Sequence, residues 1–122
     1  MPNDSSQNLP AIALISAPWP LFNQPSIQLG ALKAYLRQEM PQVPVAAHHL
    51  YLQVAAEIGY ERYRGICGRT WLAESIYAAL LYPERKAQAA HIFRRESRRV
   101  PRLRGEDFAV IVAAAGAATD AW

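Results

Sequence analysis

The first apolar residues of the chain form one unbroken run, residues 11–17 (AIALISA). A short run of branched and small apolar residues without alternation predicts a central strand of a parallel sheet, buried on both faces. Pro18 and Pro20 follow directly, and they end the predicted strand because proline cannot donate a backbone hydrogen bond to a sheet.

A helical pattern follows this strand, from Pro25 to Met40. Its apolar residues recur every three or four positions, at Leu29, Leu32, Leu36 and Met40. This spacing predicts an amphipathic helix. Asn23 is the expected N-cap, and Pro25 occupies a first-turn position, where the missing N–H costs nothing.

A second strand is predicted over residues 43–51 (VPVAAHHLY). Pro44 favours an edge position for this strand. Strand, helix and strand within about forty residues predict a βαβ unit with a parallel sheet and a right-handed crossover. The expected fold class is therefore α/β, the N-terminal part of a Rossmann-like (flavodoxin-like) parallel sheet, in which the second strand lies at the edge.

The remaining residues, 52–122, do not alternate between strands and helices. They predict a helical insertion or cover in which Gly65, Gly68 and Pro83 separate successive helices. One apolar helix face is expected to contain Trp71, Leu72, Ile76, Leu80 and Leu81. Residues 108–112 fit either a third strand or a helix capped by Asp107, and the helix is favoured.

Composition and charge restrict the class of protein. The chain has 122 residues, of which 52% are hydrophobic and 19% charged, with a formal net charge of +3. These values exclude a disordered tail and fit one globular domain. Residues 1–10 form a polar leader without the apolar core of a signal peptide, and no run is long enough to span a membrane. The single cysteine, Cys67, excludes an internal disulfide, so we expect a cytoplasmic location.

The loop after the first strand is the first place to expect a ligand, because ligands of open α/β sheets gather at the carboxyl ends of the strands. Neither GxGxxG nor GxxxxGK[ST] occurs in it, which argues against a nucleotide phosphate site. Prolines that stiffen the loop, together with Trp19, suit a large planar ligand, and Gly30 would allow its close approach. Equally, Trp19 could close the core and Gly30 could ease helix packing.

The segment from Ala13 to Arg37, ALISAPWPLFNQPSIQLGALKAYLR, resembles the opening of cobalamin-dependent radical SAM enzymes. It is most similar to the group of RiPP maturation radical SAM C-methyltransferases, in which a strand ending in Pro-Trp leads to Pro-Ser, Leu-Gly and a helix. Two later segments, HLYLQVAAEIGYERY and GRTWLAESIYAALL, resemble the same group more weakly. The resemblance spans most of residues 11–82.

This resemblance implies a cobalamin-binding domain joined to a downstream radical SAM domain that modifies a precursor peptide. It places four residues near the corrin ring. Trp19 would pack on the ring and Pro20 would shape the loop. Ser26 would donate a hydrogen bond or cap the helix, and Gly30 would give clearance.

The chain lacks three features that occur in radical SAM or cobalamin-binding proteins. It lacks the CxxxCxxC array that holds a [4Fe-4S] cluster, so no catalytic residue is expected in it, and the cluster and S-adenosylmethionine would belong to the downstream domain. It also lacks DxHxxG, so no histidine ligand to cobalamin is expected from the loop. At most three strands fit where such a domain needs about five, which indicates an incomplete N-terminal fragment.

Two further groups of residues were candidates for metal or nucleophile chemistry. His48 and His49 are adjacent on a predicted strand, so they point to opposite faces and cannot bind one ion together. Cys67 has no neighbouring base in sequence and is expected to be a small core residue. No metal site is predicted.

Arginines crowd the segment before the last helix. They are Arg94, Arg95, Arg98, Arg99, Arg102 and Arg104. The spacing of the first four predicts one basic helix side, partly paired with Glu84 and Glu96. These arginines support an alternative interpretation, a small helix-rich binding module that contacts nucleic acid or an acidic protein partner. In the leading interpretation, neither nucleic acid nor a membrane is an expected partner.

Overall fold

The computed structural model describes residues 10–24 and 26–122. The chain divides into two compact units. The βαβ unit comprises Met1–Ser16 and Pro25–His49, and the helical unit comprises Ala17–Gln24 and Leu50–Trp122. Most of the predicted polar leader (residues 1–9) and the first-turn residue Pro25 lie outside the described residues.

The βαβ unit contains β1 (Ile12–Ser16), α1 (Ile27–Glu39) and β2 (Val45–His49). The two strands pair in parallel, with Ile12 opposite Val45 and Ser16 opposite His49. The Ile12 N–H also donates a 2.9 Å hydrogen bond to the carbonyl of Pro44. The prediction of a mixed α/β chain with a parallel strand pair is therefore confirmed.

The N-cap of α1 is Ser26, and the prediction of Asn23 was wrong. The Ser26 hydroxyl accepts a 3.2 Å hydrogen bond from the Leu29 N–H. A side-chain oxygen at this position satisfies one of the donors that the first helical turn leaves without a backbone partner. Asn23 lies too far upstream of Ile27 to do so.

The faces of β1 are less buried than its sequence predicts. Burial alternates along the strand, and Ile15 is 58% exposed. α1 packs on both strands, yet it has no fully buried residue. The difference arises because, within this unit, one helix packs on the two strands, and a single helix cannot cover both faces of a sheet.

The helical unit contains five α-helices and two short 3-10 turns among its described residues. The helices are α2 (Leu50–Ile58), α3 (Tyr60–Cys67), α4 (Thr70–Leu81), α5 (Lys86–Ser97) and α6 (Phe108–Asp120). The 3-10 turns are Pro83–Arg85 and Pro101–Leu103. The second part of the chain is rich in helices, as predicted, but α2 begins at Leu50, inside the segment 43–51 that was predicted to be a strand.

One predicted helix boundary differs from the structure. Gly68 and Pro83 do follow the ends of α3 and α4, whereas Gly65 lies inside α3. The break before α3 falls at Gly59, whose φ of +98° is rarely adopted by residues with a side chain. Gly65 therefore shows that a glycine in a helical pattern does not by itself mark a helix boundary.

Residues 108–112 belong to α6, as favoured. Asp107 is the N-cap, and its Oδ1 accepts a 2.9 Å hydrogen bond from the Ala109 N–H. The helix contributes Phe108, Ile111 and Val112 to the core, together with smaller residues nearer its end.

The core of the helical unit draws on every one of its α-helices. The largest fully buried side chains are Val54, Ile58, Tyr63, Ile66, Leu72, Ile76, Phe93, Leu103 and Ile111. Leu72 and Ile76 lie on the predicted apolar face of α4, and Leu80 packs against the core. Trp71 and Leu81 were wrongly assigned to this face, since they are 65% and 70% exposed.

We expect two glycine-to-alanine substitutions to change stability in opposite directions. A Cβ at Gly65 would lie 3.2 Å from both Leu103 and Val100, two buried side chains. G65A should therefore lower the free energy of unfolding by about 1 kcal/mol, because overpacking outweighs the gain in helix propensity. A Cβ at Gly116 meets only the end of the Leu80 side chain. G116A should therefore raise the free energy of unfolding by about 0.5–1 kcal/mol.

Urea denaturation followed by far-UV circular dichroism measures both variants. Each glycine lies within an α-helix, so each substitution serves as the other's control for helix propensity. Equal stabilisation by the two variants would contradict the tight contact between α3 and the Pro101–Leu103 turn.

Candidate functional site

The loop after β1, residues 17–24, contributes its aromatic side chains to the helical unit. The Pro18–Trp19 peptide bond is cis. The Trp19 ring is partly buried against the core, with its centroid 5.4 Å from that of Tyr63 and 5.6 Å from that of Tyr77. The sequence left open whether Trp19 packs on the core. Within the helical unit, it does.

Pro20 is fixed by a hydrogen bond from the same tyrosine. The Tyr63 hydroxyl donates to the Pro20 carbonyl at 2.7 Å, and the Tyr63 side chain is fully buried. Burial raises the pKa of Tyr63 well above its ordinary value of 10.0, so the hydroxyl keeps its proton and remains a donor. Tyr77, whose hydroxyl lies 3.3 Å from Thr119 Oγ1, also has its pKa raised by burial.

Phe22 extends this packing toward α3. Its ring centroid lies 4.8 Å from that of Tyr60, and the guanidinium of Arg64 lies 5.5 Å from its centre. We call Trp19, Phe22, Tyr60, Tyr63 and Tyr77 the loop aromatic cluster. The tyrosines were not predicted as site residues, although the spacing of Tyr60 and Tyr63 places them on neighbouring positions of one helix.

Ser26 and Gly30 belong to the βαβ unit. Ser26 caps α1 through its hydroxyl oxygen, which is one of the two roles predicted for it. Gly30 lies in the first turn of α1, and a Cβ there would meet no atom within 4 Å. A ligand could therefore approach Gly30 closely. No described residue packs so near to Gly30 that a side chain there would be excluded.

The four predicted cofactor residues are thus divided between the units. Trp19 and Pro20 lie together in the helical unit, and Ser26 and Gly30 lie together in the βαβ unit. Gly30 offers the clearance that a planar ring would need. Trp19 fits a ring-stacking role less well, because Tyr63 and Tyr77 already contact its indole.

The predicted basic helix side is divided by the end of α5. The helix ends at Ser97, so only Arg94 and Arg95 lie on it, while Arg98 and Arg99 follow it. All four side chains are exposed. Arg95 pairs with Glu96 at 3.0 Å, as expected, but Glu84 pairs with none of the described arginines.

Arg99 and Arg102 meet two arginines from the other side of a groove. Arg64 on α3 and Arg69 before α4 line the same opening of about 420 Å³, and its other lining residues are Gly65, Gly68, Val100 and Pro101. We call this opening the basic groove. Arg64 and Arg69 were missed at the sequence level, because they lie some thirty residues from the arginine-rich segment.

Cys67 and the histidines offer little chemistry. The Cys67 thiol is partly buried, and burial raises its pKa above the ordinary value of 9.0, which makes it a poor nucleophile at neutral pH. His48 and His49 alternate between the more and less exposed faces of β2. Among residues 10–24 and 26–122, no three His, Cys, Asp or Glu side chains are grouped so as to hold a metal ion.

Comparison with known proteins leaves the sequence and geometry as the only guides to function. No protein-family model, curated protein or solved structure matches the chain. In the described part of the chain, no helix is long and apolar enough to cross a membrane.

Proposed function

We propose that the chain is part of the N-terminal cobalamin-binding-type domain of a B12-dependent radical SAM methyltransferase that modifies ribosomal peptides. The proposal for the family rests on the resemblance of residues 13–37. The structural observation that supports it most is the parallel βαβ unit, whose apolar surface is left largely uncovered.

The exposed apolar residues of this unit indicate where further structure would pack. Ile15 on β1 is 58% exposed, and Ile27 and Leu32 on α1 are 81% and 45% exposed. Parallel sheets are normally covered on both faces by helices and extended by further parallel strands. Further strands beside β1 and β2, with the helices that connect them, would bury these side chains and complete a Rossmann-like sheet. We place such a domain in the cytoplasm.

Each of the four predicted residues is assigned a role within its own unit. Gly30 would let the ring approach the start of α1, where Ser26 holds the first helical turn. Pro20 would present a loop whose carbonyl is already fixed by Tyr63. Trp19 would act mainly by holding this loop against the tyrosines. Cobalamin, when bound, supplies the methyl-transfer chemistry, and these residues orient it and exclude water.

The test is a titration of the protein with hydroxocobalamin, followed by the visible absorption of the corrin. We expect wild-type protein to bind and G30Q to lose at least about tenfold in affinity, which corresponds to about 1.4 kcal/mol. The glutamine side chain would fill the clearance without disturbing the fold, since no atom lies within 4 Å of the new Cβ.

G68Q is the matched control. Gly68 also has open space around its Cβ position and an ordinary φ of −81°, but it is not one of the four residues proposed to lie near the ring. Binding that is equally weakened in both variants, or that is absent from wild-type protein, would overturn the proposal. The encoding reading frame gives a second check, because further strands and then CxxxCxxC should follow Trp122.

A further inference from the structure

The basic groove combines four arginines with no lining carboxylate. Its lining residues include Arg64, Arg69, Arg99 and Arg102 and no Asp or Glu. Arg102 contacts Glu61 outside the lining at 3.3 Å, but Glu61 is 72% exposed, and such exposed pairs contribute little. Among the described residues, Arg64, Arg69 and Arg99 form no ion pair. No described carboxylate neutralises these three charges, and Arg64 also lies over the Phe22 ring, with its guanidinium 5.5 Å from the ring centre.

A second opening continues the positive charge on the other side of the Pro101–Leu103 turn. It has a volume of about 300 Å³ and is lined by Arg94, Arg98 and Arg104, together with Glu106. Glu106 is occupied by Arg62 at 2.9 Å. Because Pro101 and Arg102 line the first opening and Leu103 and Arg104 line the second, we infer that one extended anion can contact both openings.

The lining favours a polypeptide over a nucleic acid. Neither opening is lined by Phe, Tyr or Trp, so bases would find no stacking platform there. The lining of the basic groove also includes Pro101, which is exposed and can contact aliphatic side chains between charged positions. The planar guanidinium of arginine also matches the planar carboxylates of Asp and Glu, because it can donate two parallel hydrogen bonds to one carboxylate.

We propose that the basic groove binds an acidic peptide segment in extended conformation, with its carboxylates on Arg64, Arg69, Arg99 and Arg102. This binding is independent of cobalamin and goes beyond the proposed function. The segment would continue across the Pro101–Leu103 turn to the arginines of the second opening.

The experiment measures fluorescence anisotropy of a fluorescein-labelled peptide of six Glu-Ala repeats. A peptide of six Gln-Ala repeats and a single-stranded DNA of twelve nucleotides serve as comparison probes. The groove variant is R69Q/R99Q, and the matched control is R85Q/K86Q, whose residues are exposed and lie outside both openings. Each double variant lowers the formal net charge from +3 to +1 (+3 − 2).

We expect R69Q/R99Q to weaken binding of the acidic peptide by about tenfold or more and R85Q/K86Q by less than about threefold. Affinity should also fall between about 50 and 200 mM salt, because the contacts are between exposed charges. Equal weakening in both variants would indicate non-specific attraction and overturn the proposal. It would also be overturned if the wild type bound no acidic peptide, bound the glutamine peptide equally well, or bound DNA more tightly.

Discussion

Replacing Tyr63 with alanine should lower the free energy of unfolding by about 3–5 kcal/mol, as is usual when a buried aromatic side chain is removed. Tyr63 is fully buried, and it joins the loop to α3. Its ring contacts Trp19, and its hydroxyl donates to the Pro20 carbonyl. The substitution therefore removes ring packing and the hydrogen bond together. Guanidinium denaturation, followed by far-UV circular dichroism, measures the change.

Y63F separates the two contributions. Phenylalanine keeps the ring and leaves the Pro20 carbonyl without its donor, so we expect a loss of about 1–2 kcal/mol. The fluorescence of Trp19 should shift more in Y63A than in Y63F, because only alanine opens space beside the indole. If Y63A were no less stable than Y63F, the loop aromatic cluster would not depend on ring packing.

The second large effect is expected at Phe93 on α5. This side chain is 1% exposed, and its ring centroid lies 5.0 Å from that of Phe108 at the start of α6. F93A should lower the free energy of unfolding by about 3–5 kcal/mol, since the cavity would open between two helices. The loss is measured by thermal denaturation at neutral pH and by the guanidinium denaturation used for Y63A.

W71A is the control for Phe93. Trp71 is larger than phenylalanine, yet it is 65% exposed at the start of α4. Its replacement should change the free energy of unfolding by no more than about 0.5 kcal/mol. Comparable losses in F93A and W71A would show that burial in the structure does not determine stability here.

The local elements of the fold could be predicted because their signals are local. The apolar run that forms β1 and the periodic leucines of α1 each lie within one element. The position of an element's apolar face was harder to predict. Trp71 and Leu72 are adjacent and both apolar, but only Leu72 is buried, because the packing of α4 against its neighbours decides which one faces the core.

The candidate site could be located in the loop after β1, but its contacts could not be predicted. Trp19 packs on Tyr63 and Tyr77, which lie on two helices far along the chain. Side chains separated in this way meet only through tertiary structure, so no local pattern encodes them. The same reason explains why Arg64 and Arg69 were missed as partners of Arg99.

The eight residues Ala17–Gln24 lie between β1 and α1 in sequence, yet they belong to the helical unit. A polypeptide that begins at Leu50 would contain α2 to α6 but would lack Trp19, Phe22 and the acceptor for the Tyr63 hydroxyl. A single truncation of the chain therefore cannot give the complete helical unit without the βαβ unit. Isolating that unit requires a rearranged gene in which the loop is kept and joined to the helices by a new linker.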